Sequence, residues 1–436
     1  MSVLLVVVVL LGVFFLLMLL GLPVFLSFIA ANLTVMMLHS GPRFLSLVGI
    51  GMYNSLNSFV LTAVPFFIIM GEVMVRCRFV DLITDVSESI LGKLRAQDAI
   101  LTIGTGTVLA ALSGAPIATG ATLGSTLVPR MVKGGYAKWF ASGSALGGAS
   151  LAVLIPPSSL AIILATLAEV SPTRVLIGGV IPGLICSALF IGFILVASRI
   201  WPQIAPVTTE VRVKYSKREI ALRILRAAPL VIIVFLVVGV ILLGIATATE
   251  AAALGALGTI VMAFAYKRMT WPILRDTFVA TAKMTSMLFI ILSSSSIFGR
   301  VLTLTGAGGA IVNAIVSAPV PPIVVVLIMI GSLLLLGCVM DAIAMMIVTI
   351  PLYVPAVIAL GFDPIWFCVL VLMTTAIAGL TPPVGMVLYA LKGAAGDLLD
   401  MKDVYMGSFP FFIIEILVIL LIVLFPKIGT WLPSLI

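Results

Sequence analysis

The chain has 436 residues, of which 62% are hydrophobic and 9% charged, and carries a formal net charge of +8. This composition, with a mean hydropathy of +1.36, excludes a soluble globule and describes a polytopic all-α membrane protein. The positive balance reads as cytoplasmic anchoring to anionic membrane lipid, and a nucleic-acid partner is not expected.

Taken in chain order, the apolar runs 2–20 and 22–38 flank Gly21 and Pro23 and are expected to form two helices joined by a tight connection. The first run lacks the basic start of a cleaved signal peptide. A third helix is expected at 59–75. Residues 76–98 place charges at helical spacing around Val80, Ile83, Val86 and Ile90, the pattern of an amphipathic helix lying on the membrane surface.

Residues 99–129 are divided by Ser113-Gly114-Ala115-Pro116 into arms of about 14 and 13 residues, each roughly 20 Å long against a hydrocarbon thickness of roughly 30 Å. A re-entrant hairpin is therefore expected, returning to its own side at Arg130, Lys133 and Lys138. Residues 139–168 form an apolar segment interrupted by Ile155-Pro156-Pro157-Ser158. Consecutive prolines remove backbone donors and push the preceding residue out of helical geometry, so this helix must break. A span at 175–197 and a basic linker at 199–226 follow.

The pattern then starts again, with helices expected at 230–244, 251–266 and 281–298. A second divided segment, 323–355, is centred on Gly337-Cys338-Val339-Met340-Asp341. A second broken helix, 365–391, contains Thr381-Pro382-Pro383, and a last span is expected at 411–425. Pro129 and Pro355, Gly135 and Gly361, Tyr136 and Phe362, Phe140 and Trp366, Pro156 and Pro382, and Pro157 and Pro383 are each 226 positions apart. The reading is of two repeats, 1–198 and 230–436, joined by a linker at 199–229, with the hairpins and broken helices forming a transport domain. The basic loops 76–98, 130–138, 199–226, 267–276 and 392–403 hold 19 of the 24 Lys and Arg, which marks one face as cytoplasmic. Five crossings per half invert the second repeat relative to the first and leave both termini outside.

No catalytic set is visible, so an enzyme is not expected. His39 stands alone near a helix end, and Cys77, Cys186, Cys338 and Cys368 lie singly, without metal-ligand spacing. Gly104-Thr105-Gly106 is assigned to close helix packing. Broken helices at membrane depth are tolerated where they line a polar cavity, and their occurrence in corresponding halves points to a transporter binding site. Helix N-termini favour a carboxylate; freed carbonyls and hydroxyls suit a hard cation such as Na+. If the tip 113–116 meets Pro156, Pro157 and Ser158, and the tip with Gly337, Met340 and Asp341 meets Thr381, Pro382, Pro383 and Gly385, two cation sites flank one anion site. Ser113, Gly114 and Pro156 are the candidate ligands of the first, and Gly337, Asp341 and Thr381 those of the second. The plain alternative is that the prolines kink helices and the glycines allow packing. Asp341 reads equally as a cation ligand or a helix cap. Glu250 reads as a cap, and Glu72 and Glu415 as structural or partner-facing. No cationic group that would select an anion stands out; Lys283 and Arg300 read better as snorkelling helix-end residues.

The run from Ser113-Gly114 through Ala118-Thr119, with Pro129, Gly135-Tyr136, Leu154 to Ser158 and Ala248 to Ala253, resembles the large membrane subunit of tripartite ATP-independent periplasmic (TRAP) transporters. Gly337 to Asp341, Pro351, Pro355, Gly361 to Pro364 and Thr381 to Gly385 carry the resemblance through the second half. It implies an elevator-type fold and a bacterial inner-membrane importer of organic acids driven by Na+, with no other cofactor. It also implies a soluble periplasmic binding protein and a small four-helix membrane subunit as partners. Two departures stand out: Ala115 and Pro116 occupy a tip where relatives place further Ser residues, and Thr374 stands where relatives often have Asn. A stand-alone organic-anion symporter and a non-transporting membrane subunit of an enzyme complex are the alternatives.

Overall fold

The computed structural model describes residues 3–41, 45–79, 81–83, 85–86, 96–206, 216–317 and 319–436, which are helical throughout with no strand. Helices α1 (Val3–Leu19) and α2 (Val24–Ser40) pack against each other across a turn in which Gly21 takes φ +86°, a left-handed value that costs glycine least. The next helix, α3 (Leu45–Leu56), has no counterpart among the sequence expectations. Gly49, Gly51, Asn54 and Ser55 dilute its apolar pattern, but Ser296 Oγ donates to Gly51 O at 3.3 Å and fixes it against a later helix. A 3-10 turn, Phe59–Thr62, leads into α4 (Ala63–Arg76). The amphipathic surface helix expected at 76–98 falls largely on residues outside the described ones.

The first hairpin comprises α5 (Gln97–Ser113) and α6 (Pro116–Lys133), turning at Gly114-Ala115. Its arms of 17 and 18 residues are longer than the sequence suggests. The reason lies at the base, where Asp98 and Arg130, which bound the apolar arms, pair with each other at 3.1 Å and let both helices run on through the charges. The first broken helix follows as α7 (Lys138–Ser150), a 3-10 turn at Leu151–Val153, the break, and α8 (Ser159–Leu167). Then come α9 (Pro172–Gly178) and α10 (Val180–Ile200).

The basic linker is shorter than expected. A capping box, with Ser216 Oγ accepting from Glu219 N at 3.3 Å and Glu219 Oε2 from Ser216 N at 2.6 Å, starts α11 (Lys217–Val234), which a π turn at Phe235–Gly239 continues. Arg218, Arg223 and Arg226 therefore sit on helix turns. Thr247 and Glu250 make the same box at the start of α12 (Ala248–Ala265), the capping role read for Glu250. Helix α13 (Trp271–Leu304) has 34 residues, where only 281–298 was legible, because Arg275 and Asp276 interrupt the hydropathy of its first part. A short α14 (Ala307–Val316), also not anticipated, precedes the second hairpin of α15 (Pro322–Val339) and α16 (Ala342–Ala359). The second broken helix is α17 (Pro364–Leu380) and α18 (Met386–Ala395). Helix α19 (Met401–Leu424) starts ahead of the expected 411, with Asp400 N donating to Asp403 Oδ2 at 3.1 Å, and α20 (Lys427–Thr430) follows.

The matches 226 positions apart extend to backbone geometry. Gly135 and Gly361 both take φ +83°. Tyr136 N donates to Met131 O and Phe362 N to Val357 O, while Gly135 N donates to Val132 O and Gly361 N to Ile358 O, at 3.0 to 3.1 Å. Both Pro-Pro bonds are cis. The halves also pack crosswise, α6 against α18 and α16 against α8.

Close packing depends on small residues. Helix α7 is buried from Phe140 to Ser150 and carries Gly143, Gly147 and Gly148. A Cβ on Gly106 of α5 would lie 2.5 Å from Gly148 Cα, whereas Gly104 faces open space; of the Gly-Thr-Gly run, only Gly106 serves packing. On the other side Ser142 Oγ donates to Asp403 O at 3.0 Å, and Gly143 and Gly407 leave no room for a Cβ between α7 and α19. Helices α4, α12 and α13 pack together beside this group. Arg268 Nη1 donates to Cys77 O at 3.2 Å and Arg78 O at 2.7 Å, satisfying carbonyls just past the α4 C-terminus. By length and composition, eight of the described helices can cross a membrane.

Arg130→Ala removes the guanidinium that pairs at 3.1 Å with Asp98, whose side chain is only 4% exposed, across the hairpin base. Because the Arg130 side chain is 34% exposed, its removal from this half-buried pair is expected to destabilise the chain by about 1–3 kcal/mol, with Arg130→Lys losing less. Thermal unfolding of the purified chain in detergent, followed by far-UV circular dichroism, checks this; an unchanged midpoint for Arg130→Ala contradicts the clamp.

Candidate functional site

Hairpin tips, helix breaks and two neighbouring helices enclose a cavity of about 410 Å³. From the first tip, Ser113, Gly114, Ala115 and Pro116 line it; from the second, Gly337, Met340 and Asp341; from the second break, Gly385. Pro156, Pro157 and Ser158 stand behind the lining, which the first break reaches through Ser159 and Leu160. Thr381, Pro382 and Pro383 do not line it, and both prolines are exposed; the second break reaches the cavity through Val384 and Gly385, beside Ala376 and Gly379.

The first tip and the first break touch. Gly114 has φ +56°, and a Cβ there would collide with the Pro157 carbonyl oxygen, so the carbonyl freed by the break is aimed at the tip. Within the tip, Ser113 Oγ and Thr119 Oγ1 are 3.0 Å apart and Thr119 Oγ1 donates to Ala115 O at 3.0 Å, which folds the hydroxyls onto the turn. Ser158 caps α8, its Oγ accepting from Ala161 N at 3.3 Å.

In the second half Gly337 comes against Ala378, where an added Cβ would sit 2.6 Å from the Ala378 Cβ. Asp341 caps α16, its Oδ1 accepting from Ile343 N at 2.9 Å and Ala344 N at 3.1 Å. Capping takes one carboxylate oxygen and leaves the other. Thr381 Oγ1 donates to Ile377 O at 2.6 Å, keeping its lone pairs free to accept. The carbonyls of Thr381 and Gly379 crowd Gly385, at 2.8 and 2.9 Å from an added Cβ. Thr374, a noted departure, is buried with its hydroxyl on Leu370 O at 2.8 Å and does not line the cavity; its neighbour Thr375 does.

The first turns of four helices, at Pro116 of α6, Ser159 of α8, Ala342 of α16 and Met386 of α18, all reach this cavity. Each brings the positive end of a helix dipole; Ser158 and Asp341 cap part of the first turns of α8 and α16, and the first-turn N–H groups that remain favour a bound anion. Among the described residues no Lys, Arg or His lines the cavity; neither Lys283 nor Arg300 does, and Arg300 instead packs over Gly51.

Sequence reasoning missed the walls contributed by α4 and α13, including Glu72, Met284 and Leu288. Glu72, read as structural or partner-facing, is a cavity residue whose Oε2 accepts from Arg76 Nε at 2.7 Å. Its i, i+4 spacing to Arg76 was visible, but no sequence pattern says which face of α4 meets the tips. Gly71 shows that face, because a Cβ there would stand 2.7 Å from Ser113 O. Glu415 is wholly buried inside the helix packing and faces no partner surface.

The family model described as "Tripartite ATP-independent periplasmic transporter, DctM component" matches residues 11–428. An isethionate TRAP transporter permease protein of Oleidesulfovibrio alaskensis is 30% identical over 407 residues, covering 90% of this chain; the chain spans 61% of that relative's length. A C4-dicarboxylate TRAP transporter large permease protein of Vibrio cholerae is 29% identical over 442 residues, covering 96% of this chain and 95% of the relative. In structure the chain is similar to the YdaH transporter of Alcanivorax borkumensis, with a TM-score of 0.65 over 90% of this chain and 89% of that one, at 13% identity.

Gly114→Ala places a Cβ against the Pro157 carbonyl at a left-handed φ and is expected to cost about 1–3 kcal/mol by prising tip from break. Gly104→Ala, with nothing within 4 Å of the added carbon, is the control, expected to be neutral or stabilising by up to about 1 kcal/mol. Thermal unfolding of the two variants side by side checks the contrast; equal midpoints contradict it.

Proposed function

The chain belongs to the tripartite ATP-independent periplasmic transporter family as its DctM component, a membrane permease and not an enzyme; on that premise we propose that it is the Na+-coupled subunit that carries a small organic acid into the cytoplasm. The substrate is a small carboxylate, the broad class that includes C4-dicarboxylates and sugar acids. It arrives from a periplasmic binding protein, and the chain works beside a small four-helix membrane subunit in the bacterial inner membrane. The observation that carries this reading is the convergence of four helix N-termini on one cavity built from both tips and both breaks.

In this reading the substrate carboxylate rests on the N-termini and Na+ ions sit beside it. The first ion is held at Ser113, Gly114 and Pro156, with the neighbouring Pro157 carbonyl as a further oxygen; the second at Gly337, Asp341 and Thr381. Moving one charge across 100 mV is worth about 2.3 kcal/mol, so importing a dianion into a negative interior costs about twice that. Two Na+ only neutralise it. Strongly concentrative uptake therefore needs at least two Na+ per monocarboxylate or three per dicarboxylate. The two halves are inverted repeats, with the basic loops cytoplasmic and both termini periplasmic, and the hairpins and broken helices move as a transport domain against the remaining helices.

With its partners in proteoliposomes, the chain is expected to accumulate substrate when an inward Na+ gradient is imposed. Equal accumulation in Na+-free buffer under a proton gradient would sink the Na+ coupling. Pro156→Ala and Pro382→Ala are expected to lower uptake at least tenfold with normal membrane insertion. Full uptake by either variant would contradict a transport role for the breaks, and absence of uptake by the unmodified chain with its partners would favour a non-transporting membrane subunit.

A further inference from the structure

The charges around the cavity do not suit a simple dianion. Its wall holds two carboxylates, Glu72 and Asp341, and among the described residues no cationic side chain. Asp341 belongs to the second tip, where one of its oxygens is committed to the backbone of α16. Glu72 stands on a separate wall, on α4, with its side chain 22% exposed. Arg76 holds only Oε2, and no donor among the described residues bonds Oε1. The cavity is therefore lined in one region by helix N-termini, which attract a carboxylate, and in another by Glu72, whose carboxylate attracts a cationic N–H group.

Resting on the reading of this cavity as a carboxylate site, we infer that its substrate is zwitterionic: a compact molecule with one carboxylate, one cationic N–H-bearing nitrogen and an otherwise apolar body, whose nitrogen is received by Glu72. The remaining lining agrees with such a body, since Ile68, Val153, Ile163, Met284 and Leu288 surround the polar ends. A dicarboxylate of similar length would set its second negative charge against Glu72. Arg76 has a graded part: by sharing Oε2 it fixes the carboxylate and offsets some of its charge. Removing Arg76 should thus sharpen the preference for a cationic nitrogen, while removing the charge of Glu72 should abolish it.

Matched ligands isolate the nitrogen. Proline and tetrahydrofuran-2-carboxylate share a ring and a carboxylate and differ in the ring NH2+ against an ether oxygen. The pair 4-aminobutyrate and pentanoate differs in the same sense. Thermal stabilisation of the purified full-length chain, titrated with each ligand in Na+ buffer, gives the half-saturating concentrations. In at least one pair the zwitterion is expected to act at a concentration at least tenfold below its partner's and below that of succinate. Glu72→Gln should bring that ratio near one, and Arg76→Ala should widen it. Three results overturn the inference: no stabilisation by either zwitterion, preference for succinate, or a ratio that Glu72→Gln leaves unchanged. Na+-dependent stabilisation by succinate or pentanoate in any of these cases keeps the carboxylate reading intact, whereas loss of all Na+-dependent carboxylate binding removes that reading as well.

Discussion

A helix that stops inside an apolar surround leaves up to four N–H or four C=O groups without partners, and each must be satisfied by protein or by a ligand. This chain stops helices there four times, at two tips and two breaks. Part of the need is met internally: Ser158 and Asp341 cap the helices that resume, and the Ser113 and Thr119 hydroxyls close the first turn. What remains faces a single cavity. The small-residue packing follows from the same need, because stopped helices must be brought together tightly enough to exclude lipid, and Gly106, Gly143, Gly148 and Gly407 allow backbone to meet backbone.

The two halves match in backbone geometry yet differ in chemistry. Pro157 O is directed at Gly114 of the first tip, while its counterpart Pro383 O accepts from Tyr389 Oη at 2.7 Å. Position 163, which is 226 before Tyr389, is Ile and has no such hydroxyl to offer. Asp341 gives the second tip a carboxylate, whereas the first has the Ser113 and Thr119 hydroxyls and backbone oxygens. Any pair of cations bound at the two places meets different oxygens. The first place, with Ala115 and Pro116 in its turn, depends on carbonyls, and the second adds formal charge.

Much of this was legible in the sequence because it rests on residues with unusual backbone options, few for proline and many for glycine. Pro-Pro pairs, a Gly at positive φ and a tip of Ser-Gly-Ala-Pro mark breaks wherever they stand, and both hairpins and both broken helices lie where these signals put them. Helix ends were less legible, since hydropathy halts at a charge while a helix does not: Asp98 and Arg130 pair across the hairpin base, and Lys217 and Arg218 follow a capping box straight into α11. Helices α3 and α14 were missed because short, glycine-containing stretches owe their form to tertiary contacts. That Glu72 lines the cavity was not legible for a related reason. Its role depends on which side of α4 meets the tips, and Gly71 and Ser113 decide that only once the chain is folded.

The same packing constrains how the proposed alternating access could proceed. Gly120 and Gly124 of α6 seat against Val387 and Leu391 of α18, and Gly106 of α5 seats on Gly148 of α7, each with no room for a single added carbon. A hairpin arm cannot slide along its broken helix without separating these backbones, which would expose unsatisfied groups to lipid. This packing supports the proposal that hairpins and broken helices move as one group. The surface left for relative motion is the one with α4 and α13, where Gly71 passes under Ser113 O and the cavity lies open between the two groups. Glu72 stands on that surface, beside the point of closest approach. Displacement of one group past the other changes which helix N-termini a ligand on Glu72 can reach, so binding at both ends holds only in the arrangement that brings tip and α4 together.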